Sequence, residues 1–414
     1  MAASAQQSAP LVYDDYVYNT NIKTVELRNP NFELSQPLLH LTTSETLKLD
    51  FDDLTAEIQS YSFTFIHCNY NWEPSDLLPT EYIDGFTENA INDYQFAANT
   101  LQKYIHYSVE FPSTAFHFTK SGNYILKVYI TGNPDEPVLT KRLLVADPKI
   151  SVTNAHVRVA SVIEDRNYKQ ELDFTLEHPN LLLENIYTDL KVVLLQNNRW
   201  DNAKVKLKPQ YVKDQQIIYN NDRENVFAGG NEFRNFNIKS IRYHSDRIAA
   251  IKQDSLINHV TLLPDEKRSF KLYATDKDIN GNFVIKAEDA INKNNNTEAD
   301  YCNVSFFLPC NEVFTDGALY IFGAFNGWNC TKENQLTYDV KRMGYVGNLY
   351  LKQGYYNYEY AFLKDDSKEI DETLIEGSHS ATENEYAILA YYRYPGTFYD
   401  QLILVKRLNS LTDK

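Results

Sequence analysis

Long apolar runs are missing from this sequence. No stretch approaches the ~18 consecutive apolar residues that a membrane-crossing helix needs, so insertion into a bilayer by helix is not expected. Positive charge is also short: 40 Lys and Arg face 56 Asp and Glu, a formal net charge of −16. A surface of that sign repels phosphate backbones and anionic lipid, which argues against nucleic acid and membrane surfaces as partners. Only four cysteines occur, Cys68, Cys302, Cys310 and Cys330, with no Cys-x-x-Cys among them. The nine histidines form neither His-x-His nor His-Glu-x-x-His, and Gly-x-Ser-x-Gly is absent. Zinc chemistry, thiol catalysis and a nucleophile elbow therefore find no support, and no catalytic residue, metal ligand or cofactor is assigned.

What the chain holds in quantity is aromatic residues, 31 Tyr and 22 Phe against 14 Gly and 2 Met. Such side chains fit pleated, half-buried surfaces, and short alternating stretches follow one another along the chain. LKLDF at 47–51 places Leu47, Leu49 and Phe51 on one face; YSFTFIH at 61–67, YIHYSVEF at 104–111 and NYILKVYI at 123–130 alternate likewise. Turn signals, not helical patterns, separate them, which points to antiparallel β-sandwiches. A chain of 414 residues divides into two to four domains of roughly 100–150 residues. Pro148 and the polar NKNNNTEAD at 292–300 suggest boundaries, giving sandwiches at 19–147, 148–300 and 301–414, the first with a long aromatic loop over 71–103. The second block includes an expected hairpin, SFKLYATDKDINGNFVIKAED at 269–289, and few strong patterns between 197 and 265. Residues 1–18 are expected to be a disordered remnant: Ala3-Ser4-Ala5 before Gln6 has the small-residue pattern of a signal-peptidase site, with Met1 as an added start. That reading places the working compartment beyond the inner membrane, where the cysteines can pair in more than one way.

Three local features invite chemistry. DKDINGN at 276–282 sets Asp276, Asp278, Asn280 and Gly281 at calcium-loop positions, but Ala287 stands where a bidentate Glu belongs. Asn280-Gly281 reads instead as the centre of a hairpin turn. His67 and Cys68 are neighbours on a strand and so point to opposite faces, which prevents an activated pair. Acidic residues are plentiful but scattered. Trp328, in YIFGAFNGWN at 320–329, offers an indole face to a sugar or packs on its own sandwich.

YIFGAFNGWN and the Tyr-rich LKQGYYNYEY at 351–360 together resemble the early-set β-sandwich modules that bind glycogen and starch. Those modules generally carry a second Trp after the Tyr-rich strand, whereas AFLKDDSKEID at 361–371 has none, so the likeness supports the fold of the last block more than glycan binding. A second resemblance spans the chain. NWEPSDLLPTEYIDGFTENAINDYQFAANTLQKYIHYSVEFPS at 71–113 resembles the hallmark segment of the plug proteins of the type IX secretion system; SGNYILKVY at 121–129, GGNEFRNF at 229–236, DINGNFVI at 278–285 and the end segment 320–394 match as well. The resemblance implies an all-β protein of tandem immunoglobulin-like and early-set sandwich domains. It also implies a soluble, non-catalytic protein in the periplasm at the inner face of the outer membrane, closing the channel of the β-barrel translocon. A glycan-binding module is the alternative, with Trp328 as its contact, and an assembly or chaperone role is a third. Within the hallmark segment Trp72, Tyr82, Asp84, Phe86 and Tyr94 are the candidate partner contacts, since hot spots favour large rings. The competing expectation is that these rings staple a long loop to the first sandwich.

Overall fold

The computed structural model describes residues 10–205 and 207–413, so the expected cleavage pattern at 3–6 lies outside the described residues. The architecture is all-β, with several largely antiparallel sheets and helices of a single turn. Two compact units emerge. The first comprises the described residues up to Ala97, Lys103–Pro148 and Tyr391–Ile403; the second comprises Ala98–Gln102, Lys149–Ala390 and the described residues from Leu404 onward.

Twelve strands build unit 1: β1 (Tyr16–Val17), β2 (Ile22–Arg28), β3 (Leu38–His40), β4 (Leu47–Asp53), β5 (Tyr61–Cys68), β6 (Ile83–Gly85), β7 (Glu88–Ile91), β8 (Asp93–Phe96), β9 (Ile105–Phe111), β10 (Phe116–Phe118), β11 (Gly122–Ile130) and β12 (Pro137–Ala146). One sheet runs β1-β12-β11-β5-β7, with β3 parallel to β12; a second runs β2-β4-β9-β8; β6 and β10 form a two-stranded ribbon. The two larger sheets share one core. Leu47, Leu49 and Phe51 of β4 are fully buried against Tyr61, Phe63 and Phe65 of β5, as their alternation predicts. Phe51 stacks on Tyr107 at 5.3 Å and meets Tyr61 edge-on at 5.3 Å. Such pairs contribute about 0.5–1.5 kcal/mol each beyond area burial.

On the other face of β4, Asp50 and Asp52 are acidic yet buried. His106 of β9 lies between them, Nδ1 2.8 Å from Asp52 Oδ1 and Nε2 3.1 Å from Asp50 Oδ1, so that a doubly protonated ring would donate to both carboxylates. Lys48 and Arg28 complete the cluster around Asp50, at 2.9 and 3.4 Å. At the start of the described chain, residues 13–18 do not follow the expectation of disorder. β1 pairs with β12, the Tyr13 carbonyl accepts from Arg142, and Asp14 and Asp15 pair with Arg142 and Lys141.

Unit 2 departs further from expectation. No division falls near residue 300: Asn258–Leu262 pairs in parallel with Tyr301–Pro309 across that position, and Thr297, Glu298 and Asp300 of the supposed exposed loop are buried. The poorly patterned 197–265 segment holds six short strands, among them Arg234–Asn237 and Ile248–Gln253. The expected 269–289 hairpin does not form. Its first half is irregular, and Phe283–Ile285 pairs with Gly354–Lys364 instead. The reason lies in Gly354–Lys364, whose long Tyr-rich edge also takes Arg234–Asn237 and Gly317–Phe322 as partners. At its middle, Tyr358 and Tyr360 each donate a hydroxyl to Asp265 at 2.7 Å, and Arg234 joins Asp265 at 3.1 Å to Glu376 at 2.9 Å. GGNEFRNF and the segment beginning at Glu376 thus meet in one buried ion cluster.

Candidate docking surface

The hallmark segment leaves β5 through a tight turn. The Asn69 amide donates to Glu73 O and the Trp72 amide to Asn69 O, which holds Trp72 at a φ of 66°. Its indole is buried under the Arg142 guanidinium, 4.5 Å from the ring centre. A one-turn helix, Pro79–Tyr82, starts where Glu81 Oε2 accepts the Leu78 amide at 2.7 Å. Tyr82 turns inward: it is 2% exposed, and its hydroxyl donates to Phe65 O at 2.9 Å. Tyr104 is buried too. For these three rings the staple reading describes what the structure holds.

The rest of the segment faces out. Asp84, in β6, is exposed and lies 3.2 Å from His117 Nε2 across the ribbon. Phe86 is 70% exposed, although its amide is anchored to Ala115 O. β7 pairs with β5 alone and β8 with β9 alone among the described residues, so consecutive strands, joined by Asn92, form one edge of each of the two sheets. On β8, Tyr94 opposes Tyr107 and Phe96 opposes Ile105, both buried partners. A ladder of rings therefore runs from the core to solvent, from Phe51 to Tyr107 to Tyr94 to Phe96, the last two 6.0 Å apart and 41% and 56% exposed. Whole-chain composition hides a further signal that was legible: no Lys or Arg stands between Lys48 and Lys103, while ten Asp and Glu do.

Both His67 and Cys68 are buried. His67 Nε2–H donates to Ser121 O at 3.2 Å, which leaves Nδ1 to accept from Ser75 Oγ at 2.8 Å. Burial lowers the imidazole pKa to about 4, too weak a base to activate the serine. All four thiols are free, and burial pushes Cys68 and Cys330 up to about 12.

Trp328 is half-buried and packs on its own unit. Arg199 lies 4.7 Å over its ring, Phe322 and Phe233 meet it edge-on at 5.3 and 5.9 Å, and Gly281 sits against its rim. Asn280 and Gly281 do adopt positive φ, 51° and 75°, but the turn they make serves this contact. Asp278 accepts the Asn280 and Phe233 amides, a role that leaves its oxygens to backbone partners. Unit 2 also contains a cavity of about 480 Å³ lined by Asp289, Glu298 and Asp300. Its carboxylates are engaged: Asp300 accepts from the Leu101 and Gln102 amides, Glu298 from Asn99 and Asn292, and Asp289 from Ser240 and the Ile241 amide. No group of three potential metal ligands gathers among the described residues, and no helix among them is long and apolar enough to cross a membrane.

The chain is similar to a hypothetical protein from Parabacteroides merdae ATCC 43184, whose crystal structure was determined at 2.30 Å. The two are 31% identical with a TM-score of 0.92, covering 97% of this chain and 100% of the other. Residues 22–147 match the model of the type 9 secretion system plug protein 1st domain. Residues 22–147 belong to the type 9 secretion system plug protein family as its first domain. A comparison with curated proteins finds no match. The plug match encloses the buried Trp72 and Tyr82 together with the exposed Asp84, Phe86 and Tyr94, whereas Trp328 lies outside it.

Proposed function

We propose that this plug-family protein acts without catalysis in the periplasm, docking on the outer-membrane β-barrel translocon of the secretion system and closing its channel when no substrate passes. The observation that carries the reading is that residues matching the plug family's first domain contain two consecutive edge strands, β7 and β8, with exposed rings on and beside them. A closure device needs bulk, a stiff body and a reversible interface. The aromatic core of unit 1, cross-braced by stacked and edge-on rings, supports stiffness. Exposed rings on ordered strands support an interface formed with little loss of side-chain freedom.

The test is electrical. The purified translocon in a planar bilayer should conduct, and adding the full chain on the periplasmic side should lower the conductance. Conductance indifferent to the chain, with no co-purification of the two, would overturn the proposal.

A further inference from the structure

The run 84–96 combines two properties that do not normally coincide at a sheet edge. Asp84, Glu88 and Asp93 are exposed, and charges at open edges are the usual guard against strand-to-strand aggregation. Exposed rings at the same edges work against that guard, yet Phe86, Tyr94 and Phe96 are all present. Packing does not demand them, since the core of unit 1 closes with Tyr107 and Ile105. Upstream, Glu73, Asp76 and Glu81 are exposed as well, and the segment from Lys48 to Lys103 supplies no cation to offset them. By sheet register Lys127 lies two strands in from Glu88, its Nζ bonded to Pro134 O, and Lys48 lies two strands in from β8, its Nζ 2.9 Å from Asp50; the basic group beside Asp84 is the His117 imidazole, 3.2 Å away.

We infer that the run 84–96 is the docking face and that its partner is a basic protein surface, with Lys or Arg side chains around an apolar recess that receives Phe86, Tyr94 and Phe96. Charge complementarity makes the choice. A second copy would bring the same acidic face, while nucleic acid and anionic lipid carry the wrong sign. The rings supply contact area, and the carboxylates supply steering and register. The inference rests on the proposed function only for naming the translocon as the bearer of that basic surface.

The experiment places a photoreactive benzoylphenylalanine at Phe86, Tyr94 or, as controls on other faces, Phe398 and Phe270, in the full chain within its native envelope, and maps each adduct by mass spectrometry. Adducts from positions 86 and 94 to a Lys- and Arg-rich segment of the translocon support both readings. Yield should fall several-fold as salt rises from about 50 to 500 mM, as expected when screening shortens the reach of charge. The combined Asp84→Lys, Glu88→Lys and Asp93→Lys variant, verified as folded by its melting curve, should bind about tenfold more weakly. Adducts to a basic segment of another identified protein, with the same salt dependence, sustain the inference and overturn the translocon reading. Translocon adducts from the control positions only, or adducts from 86 and 94 that are insensitive to salt and charge reversal, overturn the inference and leave that reading standing. Adducts to lipid or to a second copy, or none at all, also overturn it.

Discussion

The rim of Trp328 lies against the backbone of Gly281. A Cβ at Gly281 would stand 2.2 Å from Trp328 Cη2 and 2.9 Å from Phe233 Cε1, at a φ of 75° that L side chains rarely adopt. Gly281→Ala should therefore cost roughly 1–3 kcal/mol, through overlap and a strained backbone, measured as a lower urea midpoint. Arg199, 4.7 Å over the ring, occupies one face of the same indole. Neither the parent protein nor Trp328→Ala should be retarded on a glycogen column; retention lost on that substitution would revive the glycan reading.

Two rings four residues apart should behave oppositely. Tyr82→Ala empties a core site and leaves Phe65 O without its donor, costing about 3–5 kcal/mol. Phe86→Ala should leave stability within about 0.5 kcal/mol while weakening attachment to the translocon. Denaturation and pull-down on the same pair of variants separate the staple from the contact.

His106 sits between two buried carboxylates. Burial pushes the Asp50 carboxyl up, but hydrogen bonding and charge from His106, with Lys48, hold it below the ordinary range. His106→Ala should cost about 3–5 kcal/mol, because it leaves Asp50 and Asp52 facing each other inside the protein. Adding Asp52→Asn should recover part of that loss; a full loss unchanged by the second substitution would contradict the ion-cluster account.

The two units should respond to acid in opposite senses. His67 titrates near 4 in the fold against 6.5 for the free ring, so the unfolded chain binds the proton first. Stability from this group is complete above about 6.5 and falls by roughly 3 kcal/mol as pH drops to about 4. Asp278 is pushed up to about 6 from 3.8, chiefly by burial, so the folded chain binds the proton first. Its contribution is complete below about 3.8 and is lost, by roughly 3 kcal/mol, as pH rises through about 6. Protection factors of the β5 and β11 amides, that is, exchange rates corrected for the pH dependence of the free amide, should fall from pH 6.5 to 4. Asp278→Asn should remove this pH dependence of unit 2, and a urea midpoint that still falls by as much between pH 4 and 7 in the variant would count against the assignment.

By itself, the sequence determined the all-β class, the strands at 47–51, 61–67, 104–111 and 123–130, and membership in the plug family, because side-chain alternation and ordered motifs are local properties of the chain. It did not separate the inward Trp72 and Tyr82 from the outward Phe86 and Tyr94. That distinction depends on which strand ends a sheet, and edges are set by pairing between residues far apart. The same cause undid the 269–289 hairpin: its alternation was real, but Gly354–Lys364 took Phe283–Ile285 as partner and left the other half unpaired. Tertiary structure likewise decided that Trp328 would be covered and that the acidic residues of β4 would be buried, since only the fold brings Gly281, Arg199 and His106 to them.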